Sequence, residues 1–205
     1  MIIGFMGKKQ SGKDTAAKFL INNYSFNRYA FGDPIKKICK IMFGFNDEQL
    51  YGNKKEHIDQ DWNISPRQAF QVIGTEFAQF GIYKYLPELN EKVPHRELWV
   101  MSFKKWYWEH LKEDRNLRVV ISDVRFSHEV NAIRELGGII VKINKDNTPL
   151  DTHTSEKEID NISSDRIDYE ISNNEGIPEL NTKINQIYCI VNKNNKNLKV
   201  ENIDL

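Results

Sequence analysis

Residues 1–20 read MIIGFMGKKQSGKDTAAKFL, and this stretch decides the fold. Its first six residues form a short apolar run that predicts a buried strand, and the apolar residues from Ala16 onward recur at helical spacing. Residues 7–13 match the pattern G-x-x-x-x-G-K, whose glycines permit a tight turn of backbone N–H groups around an anion. The start of the next helix adds the positive end of its dipole. The stretch therefore predicts a cradle for the phosphates of a nucleoside triphosphate.

The whole loop is a candidate for binding ATP, and its members are Gly7, Lys8, Lys9, Gln10, Ser11, Gly12, Lys13, Asp14 and Thr15. Lys13 supplies a point charge for the β and γ phosphates, which makes it a catalytic candidate. A chance glycine-rich turn is disfavoured, because the lysine and the strand–helix context occur together. Such loops usually place Ser or Thr directly after the lysine to bind Mg²⁺, but here Asp14 has that place. We favour Thr15 as the metal ligand; Asp14 is the alternative, and it also suits a first-turn acid near the helix dipole.

Strand and helix patterns alternate along the rest of the chain. Strands are predicted at 26–31, 118–122, 139–143 and 169–172, and helices at 33–43, from 65 to about 77, 97–112, 126–136 and 177–187. Asp33 is the predicted N-cap of the second helix, Gly44 its end, and Ser65 the N-cap of the third. Residues 46–64 carry no clear pattern. The alternation predicts an α/β fold, a three-layer sandwich around a mostly parallel central sheet.

Composition limits the classes of partner. The 29 basic and 29 acidic residues give a formal charge of zero, which argues against nucleic acid and anionic membranes as partners. Cys39 and Cys189 form no CxxC pair and are expected in the core of a protein from a reducing compartment. The chain has no apolar stretch of membrane-spanning length, so we expect a cytoplasmic protein, in the host cytoplasm if the source is viral. We expect a single domain over residues 1–190 and a loosely held tail over 191–205.

Two charged residues follow the predicted strand at 118–122. Asp123 and Arg125 are expected at the same edge of the sheet as the phosphate loop, since ligands of parallel sheets bind beyond the carboxyl ends of the strands. An acid at this place commonly completes the magnesium shell in P-loop proteins, and an arginine there suits phosphate oxygens. A local Asp–Arg pair in a turn is the alternative. Both residues are catalytic candidates.

Three more features are candidates for binding or enclosing a second substrate, the one that would accept a phosphoryl group from the nucleoside triphosphate. Arg67 and Gln71 share one face of the third predicted helix, where they form either a polar patch toward a cleft or a solvated surface. Trp99 stacks either on a nucleobase or in the core. The long polar segment 144–164 is predicted to be a lid. His153 within it suggests a general base or a metal ligand, but the segment has no second His at metal-site spacing, so phosphate ordering or lid closure suits it better.

In chain order, the segments GKKQSGKDT, FGDPIKK, SPRQAFQVIGTEF, ELWVMSF, ISDVRFSHEV and DTHTSE resemble the phage-type deoxynucleoside monophosphate kinases, an adenylate-kinase-like family of P-loop kinases. The resemblance spans roughly residues 1–185, and GKDT is similar to the family's own variant of the loop. It implies that the acceptor nucleotide contacts Lys36, Arg67, Gln71, Trp99, Asp123 and Arg125. It also implies a lid carrying His153, Ser155 and Glu156, within a fold of the nucleoside-monophosphate-kinase kind.

The resemblance further implies an activity. The enzyme would transfer the γ-phosphoryl group of ATP to a deoxynucleoside monophosphate, giving the deoxynucleoside diphosphate and ADP, with Mg²⁺ bridging two phosphates. Its partners would be these nucleotides, and a homodimer is left open. One alternative is a kinase of another phosphorylated acceptor, of the phosphomevalonate or dephospho-CoA type. The other is an inactive nucleotide-binding regulator. The accepted base and the choice between deoxyribose and ribose also stay open.

Overall fold

The computed structural model describes residues 1–146, 158–159 and 161–201, with side chains through residue 194. The chain divides into two compact units. The first unit combines Met1–Ala30 with His110–Leu205, and the second is Phe31–Glu109. The expectation of one kinase domain over residues 1–190 stays a prediction.

The described elements carry the following bounds. The strands are β1 (Ile2–Met6), β2 (Asn27–Tyr29), β3 (Val119–Val124), β4 (Ile139–Asn144) and β5 (Tyr169–Ser172). The α-helices include α1 (Lys13–Tyr24), α2 (Gly32–Phe43), α3 (Asp47–Leu50), α4 (Pro66–Gln71), α5 (Ile82–Tyr85), α6 (Leu98–Glu113), α7 (Ser127–Glu135) and α8 (Ile177–Glu201). A π-helix spans Val72–Gly81, and short 3₁₀ turns span Asn53–Glu56, Pro87–Glu91 and Ser164–Arg166. The predicted alternation of strands and helices is confirmed.

The strands of the first unit form one parallel sheet. Over the described residues its order is β2-β3-β1-β4-β5, and each neighbouring pair runs parallel. The central strand β1 is buried along its whole length. Strands β1, β3 and β4 are nearly continuous apolar runs, as expected for parallel strands covered on both faces. The prediction of an α/β fold around a mostly parallel sheet is therefore confirmed.

The core of the first unit lies between the sheet and helices α1 and α8. Phe5 of β1, Leu20 of α1 and Ile184 of α8 belong to one buried cluster. The sequence placed the end of the last helix near Ile187, but α8 continues to Glu201. Val191 extends the apolar stripe by one further turn and is buried in the same cluster, which gives the helix a reason to continue.

Helix α2 opens the second unit two residues earlier than the sequence predicted. Its N-cap is Phe31, and the predicted cap Asp33 lies in the first turn instead. The prediction of Asp33 as N-cap is wrong because Gly32 already has helical geometry. An acid in the first turn still suits the positive end of the helix dipole. The predicted end is confirmed, since Gly44 adopts φ 68° and its N–H bonds to the carbonyl of Lys40 at 3.0 Å.

Helix α4 begins at the predicted place. The Ser65 hydroxyl accepts from the N–H of Gln68 at 3.2 Å, and the Gln68 side chain accepts from the N–H of Ser65 at 2.8 Å. This reciprocal capping box satisfies two donors that a helix start would leave unpaired. Pro66 occupies the first helical position, where its missing N–H costs nothing.

A π-helix replaces the predicted continuation of this helix. After Gln71 the backbone widens, and the N–H of Ile82 bonds to the carbonyl of Phe77, five residues back. Gly74 lies in the π-helix against Ile35 of α2, where an added Cβ would approach the Ile35 side chain to 2.5 Å. The indole N–H of Trp99 donates to the carbonyl of Gly74 at 2.8 Å. Apolar spacing alone does not distinguish this wider helix from an α-helix.

The segment 46–64, which the sequence left unassigned, is built from short turns. Helix α3 has its own capping box between Asn46 and Gln49. Asp59 and Ile64 form an isolated antiparallel bridge. Because each element is shorter than one amphipathic period, the segment shows no hydrophobic periodicity in its sequence.

The two cysteines have different environments. Cys39 is buried with Phe45, Leu50 and Ala69 in the core of the second unit, as predicted. Cys189 is exposed, so the prediction of a core position is wrong for it. It lies beside the apolar stripe of α8 rather than within it. Throughout the described residues, no helix is long and apolar enough to cross a membrane.

Candidate active site

The phosphate loop joins β1 to α1 in the geometry that its sequence predicts. Gly7 adopts φ 145° and Gly12, the N-cap of α1, adopts φ 108°. Both values lie in the region that favours glycine. A Cβ on Gly7 would collide with the carbonyl oxygen of Ile143, and one on Gly12 would collide with the side-chain amide of Asn173. The two glycines of the motif are therefore required by conformation and by space.

Lys13 is held inside this loop. Its side chain is 9% exposed, and its ammonium donates to the carbonyls of Gly7 and Lys8, both at 2.6 Å. The hydroxyl of the fully buried Ser11 lies 3.4 Å from the same nitrogen. These contacts place a positive charge within the turn that would surround the phosphates. The predicted position of Lys13 as the charge of the cradle is consistent with this geometry.

The end of β5 supports the loop from behind. The side-chain amide of Asn173 donates to the carbonyl of Ser11 at 2.8 Å. The backbone N–H of Asn173 donates to the carbonyl of Asn144 at 2.8 Å, which continues the ladder between β4 and β5. The sequence did not single out Asn173, because it lies 162 residues from Ser11 and no local pattern shows that the two residues meet. This residue connects the shape of the phosphate loop to the edge of the sheet.

The candidate magnesium ligands lie in the first turn of α1. Thr15 is partly buried and Asp14 is exposed. A hydroxyl and a carboxylate are both oxygen ligands, which Mg²⁺ prefers, and nucleotide sites usually complete its shell with substrate phosphates and water. Among the described residues no group of three or more His, Cys, Asp or Glu side chains is arranged to hold a metal alone. The first turn of α1 thus fits a shared magnesium site, and the choice between Thr15 and Asp14 stays a prediction.

Asp123 and Arg125 lie at the expected edge of the sheet. Strand β3 is hydrogen-bonded to β1, and Met6 is in register with Val124. The phosphate loop and the β3 strand end therefore leave the sheet at the same level. Asp123 and Arg125 are both partly buried. The sheet register brings this pair and the phosphate loop to one edge, as predicted.

Glu129, the third residue of α7, contacts this strand end, and the sequence analysis did not single it out. Its side chain is only 5% exposed, and its Oε2 accepts from the N–H of Arg125 at 2.7 Å and from the N–H of Phe126 at 3.1 Å. The pKa of Glu129 is raised to about 8, mainly by burial and secondly by the negative charge of Asp123. The two N–H donors and the charge of Arg125 oppose this rise. The sequence feature that could have indicated Glu129 is an acid at the third position of a helix, where its side chain can accept from N–H groups at the helix start.

The raised pKa of Glu129 predicts a pH-dependent stability. Between pH 4.5 and about 8 the folded protein retains a proton that the unfolded chain releases, so the free energy of unfolding falls as pH rises. The slope from this group approaches about 1.4 kcal/mol per pH unit. Glu129→Gln cannot titrate and should flatten the profile in urea denaturation at pH 5, 6, 7 and 8. Glu135→Gln, at an exposed position of the same helix, should keep the wild-type slope. Equal slopes in both variants would contradict the prediction.

A cavity of about 190 Å³ adjoins the phosphate loop. It lies beyond the carboxyl end of β4, and lysines at positions 8, 142 and 145 line it. Lys142 is 3.6 Å from the carboxylate of Glu170, across the ladder to β5. The concentration of positive charge beside the loop suits an anionic ligand.

The basic acceptor candidates of the second unit are paired with acids. The Arg67 Nε lies 3.0 Å from Oε1 of Glu56. Lys36 lies 3.4 Å from Asp33 and 4.7 Å from the centre of the Tyr51 ring. Both pairs are partly exposed, so each is worth little to stability and can exchange partners.

Gln71 and Trp99 complete the acceptor candidates in this unit. Gln71 ends α4 and is partly buried. Trp99 is 8% exposed, and its indole donates to the backbone of the π-helix. Core packing, one of the two alternatives for Trp99, is therefore observed, and a contact with a nucleobase stays a prediction. The lid candidates His153, Ser155 and Glu156 lie outside the described residues.

Together, these features define a class of protein. A G-x-x-x-x-G-K loop follows the central strand of a parallel sheet, and an acid and an arginine lie at the carboxyl end of the neighbouring strand, which is the plan of the P-loop kinases. The sequence profile of the family described as deoxynucleotide monophosphate kinase matches residues 1–63 and 48–184. The chain belongs to the deoxynucleotide monophosphate kinase family. The predicted family, fold class and enzyme class are thus confirmed.

Two relatives carry names of this family, and a solved structure has a similar fold. A protein of Acanthamoeba polyphaga mimivirus, whose name likewise refers to deoxynucleotide monophosphate kinase, is 38% identical over 96% of this chain and 100% of its own. The deoxynucleotide monophosphate kinase of Enterobacteria phage T4 is 24% identical over 89% of this chain and 96% of its own. The dephospho-CoA kinase of Campylobacter jejuni has a similar fold, with a TM-score of 0.50 and 13% identity over 95% of this chain and 98% of that one.

Proposed function

We propose that this chain transfers the γ-phosphoryl group of ATP to a deoxynucleoside monophosphate, giving the deoxynucleoside diphosphate and ADP. The observation that carries the proposal is the phosphate loop, in which the Lys13 ammonium lies 2.6 Å from two loop carbonyls, at the same sheet edge as Asp123 and Arg125. Membership in the deoxynucleotide monophosphate kinase family supports the choice of acceptor.

The residues that bind ATP and the transferred phosphate act by positioning the phosphates and by offsetting their negative charge. Phosphoryl transfer asks little covalent chemistry of the protein, because the acceptor phosphate is itself an anionic nucleophile. Lys13 binds the transferred phosphate, and the planar guanidinium of Arg125 binds two of its oxygens and offsets the charge of the transition state. Magnesium, held through Thr15 or Asp14, would neutralise phosphate oxygens when bound. Asp123 lies where P-loop proteins place an acid for the same metal.

The acceptor residues are proposed to be Lys36, Arg67, Gln71 and Trp99, together with Asp123 and Arg125. Lys36 and Arg67 already lie near the carboxylates of Asp33 and Glu56, so an acceptor phosphate would compete with partly exposed ion pairs. Arginine is favoured in that competition, because its fork donates two parallel hydrogen bonds to a phosphate.

The remaining proposals concern organisation. We assign residues 1–190 to one kinase domain, with a lid over about 144–164 that carries His153, Ser155 and Glu156. A lid excludes water from the transferred phosphoryl group, which would otherwise be lost to hydrolysis. We place the enzyme in the cytoplasm, with ATP and a deoxynucleoside monophosphate as its partners and with a homodimer left open.

An ADP-release assay coupled to NADH oxidation tests the proposed acceptor. The purified protein is supplied with Mg²⁺ and ATP, and separately with the four common dNMPs, the matching NMPs, phosphomevalonate and dephospho-CoA. We expect ADP to form rapidly with at least one dNMP and not with the two non-nucleotide acceptors. Turnover with phosphomevalonate or dephospho-CoA alone would overturn the proposed acceptor. Tight ATP binding without turnover on any acceptor would indicate a regulator instead.

A further inference from the structure

We propose that Glu129 is a positioning residue of the active site, which fixes the turn between β3 and α7 so that the Arg125 guanidinium meets the transferred phosphate. This inference rests on the proposed phosphoryl transfer and adds a residue to it. Glu129 does not touch substrate in this account. It acts through the backbone of the segment that carries Arg125.

Two hydrogen bonds connect Glu129 to that segment. One carboxylate oxygen, Oε2, accepts from the N–H of Arg125 at 2.7 Å and from the N–H of Phe126 at 3.1 Å. Both donors belong to the turn in which the chain leaves the sheet and enters α7. The orientation of the Arg125 side chain begins at its own backbone, so an acceptor that binds its N–H helps to determine where the guanidinium points.

Helix capping explains only part of this arrangement. An acid at the third helical position commonly bonds the N–H of the capping residue, and the bond to Phe126 is of this kind. The shorter bond to Arg125 lies one residue further back, outside the helix. Glu129 is also only 5% exposed, and the negative charge of Asp123 acts on its carboxyl group. A buried acid beside another acid is costly, so a role in the site accounts for it better than capping does.

Removal of the hydrogen-bond acceptor Oε2 of Glu129 would free the turn between β3 and α7. Without Oε2, two partly buried N–H groups would lose this acceptor, and the backbone would move to find another acceptor or water. A shift of about 1 Å in a charged group can cost up to about 100-fold in rate, because the reacting atoms must be aligned closely. The phosphate loop draws its own hydrogen bonds from Lys13 and Asn173, so ATP binding should be insensitive to the change.

Three variants separate positioning from folding. Glu129→Met keeps the length of the side chain and removes the oxygen that accepts the two hydrogen bonds. Glu129→Gln keeps an acceptor oxygen and has no charge, which matches a carboxyl whose pKa of about 8 leaves it mostly protonated at pH 7. Glu135→Gln, at an exposed position of α7, is the matched control. Steady-state kinetics with the best dNMP are measured per mole of folded enzyme, with circular dichroism and thermal melting as checks of folding.

The expected result is a specific loss of kcat. Glu129→Met should lower kcat at least about tenfold with the KM for ATP within about twofold of wild type, because positioning acts on the transition state. Glu129→Gln should stay within about threefold of wild-type kcat, as an acceptor remains. A merely structural role would lower the melting temperature of Glu129→Met and leave the kcat of the folded fraction unchanged, and that result overturns the inference.

A double-mutant cycle with Arg125 tests whether Glu129 acts through that residue. If it does, adding Glu129→Met to Arg125→Ala should lower kcat by less than about threefold further, because coupled residues are not additive. Fully multiplicative losses would show that the two residues act independently and would overturn the inference. If the wild-type enzyme phosphorylates no dNMP, the proposed function fails, and this outcome is distinct from failure of the Glu129 role.

Discussion

Lys13→Ala should lower kcat for dNMP phosphorylation by at least about 100-fold, the loss expected when a charge that stabilises a transition state is removed. Lys13 is 9% exposed, and its ammonium donates to the carbonyls of Gly7 and Lys8, both at 2.6 Å. Its removal therefore takes a positive charge out of the loop and leaves two carbonyls without this donor. Steady-state kinetics with saturating Mg²⁺ and ATP measure the effect.

Lys18→Ala is the matched control for Lys13. Lys18 lies on the same helix, α1, but is exposed. Its replacement should leave kcat within about twofold of wild type, as expected for a surface position away from the site. If Lys13→Ala retains near-normal turnover, Lys13 has no part in catalysis, and the phosphate loop loses its proposed role.

Arg125→Ala should also lower kcat by at least about 100-fold, because the guanidinium is proposed to offset charge on the transferred phosphoryl group. Arg125 follows β3, the strand hydrogen-bonded to β1, at the level where the phosphate loop begins. Arg125→Lys should recover only part of the loss, since an ammonium keeps the charge but lacks the planar fork. The comparison of the two variants separates the contribution of charge from that of geometry.

Arg115→Ala provides the control for Arg125. Arg115 is an exposed arginine in the loop that precedes β3, and we assign it no part in the site. We expect its kcat to match wild type within about twofold. Equal kcat in Arg125→Ala and wild type would remove Arg125 from the account, and with it the basis of the Glu129 inference.

The parts of the site with strong local signals could be predicted from the sequence. The strand, glycine loop and helix of residues 1–20 are adjacent in the chain, and each is determined by short-range rules of burial, turn geometry and helix period. The same holds for Ser65 as the N-cap of α4 and for Gly44 at the end of α2. Asp123 and Arg125 followed from the rule that ligands bind beyond the carboxyl ends of parallel strands.

The remaining features of the site depend on contacts between residues far apart in the chain, which local sequence patterns do not predict. Glu129 could be seen as an acid near a helix start, but its burial depends on how β3 and α7 pack, which the sequence does not show. Asn173 meets Ser11 only because β5 ends beside the phosphate loop. The π-helix at Val72–Gly81 cannot be distinguished from an α-helix by its apolar spacing alone. The burial of Trp99 likewise depends on the backbone carbonyl that the π-helix offers to its indole.

The proposal of γ-phosphoryl transfer to a deoxynucleoside monophosphate is tested most directly by following the phosphate itself. The purified enzyme is incubated with Mg²⁺, ATP labelled with ³²P at the γ position and each dNMP in turn, and the nucleotides are separated by chromatography. The account predicts that the label moves to the β position of a deoxynucleoside diphosphate, with an equal amount of ADP formed, and that Lys13→Ala slows this transfer at least about 100-fold. Label that stays in ATP, or appears only as inorganic phosphate, with every dNMP would contradict it.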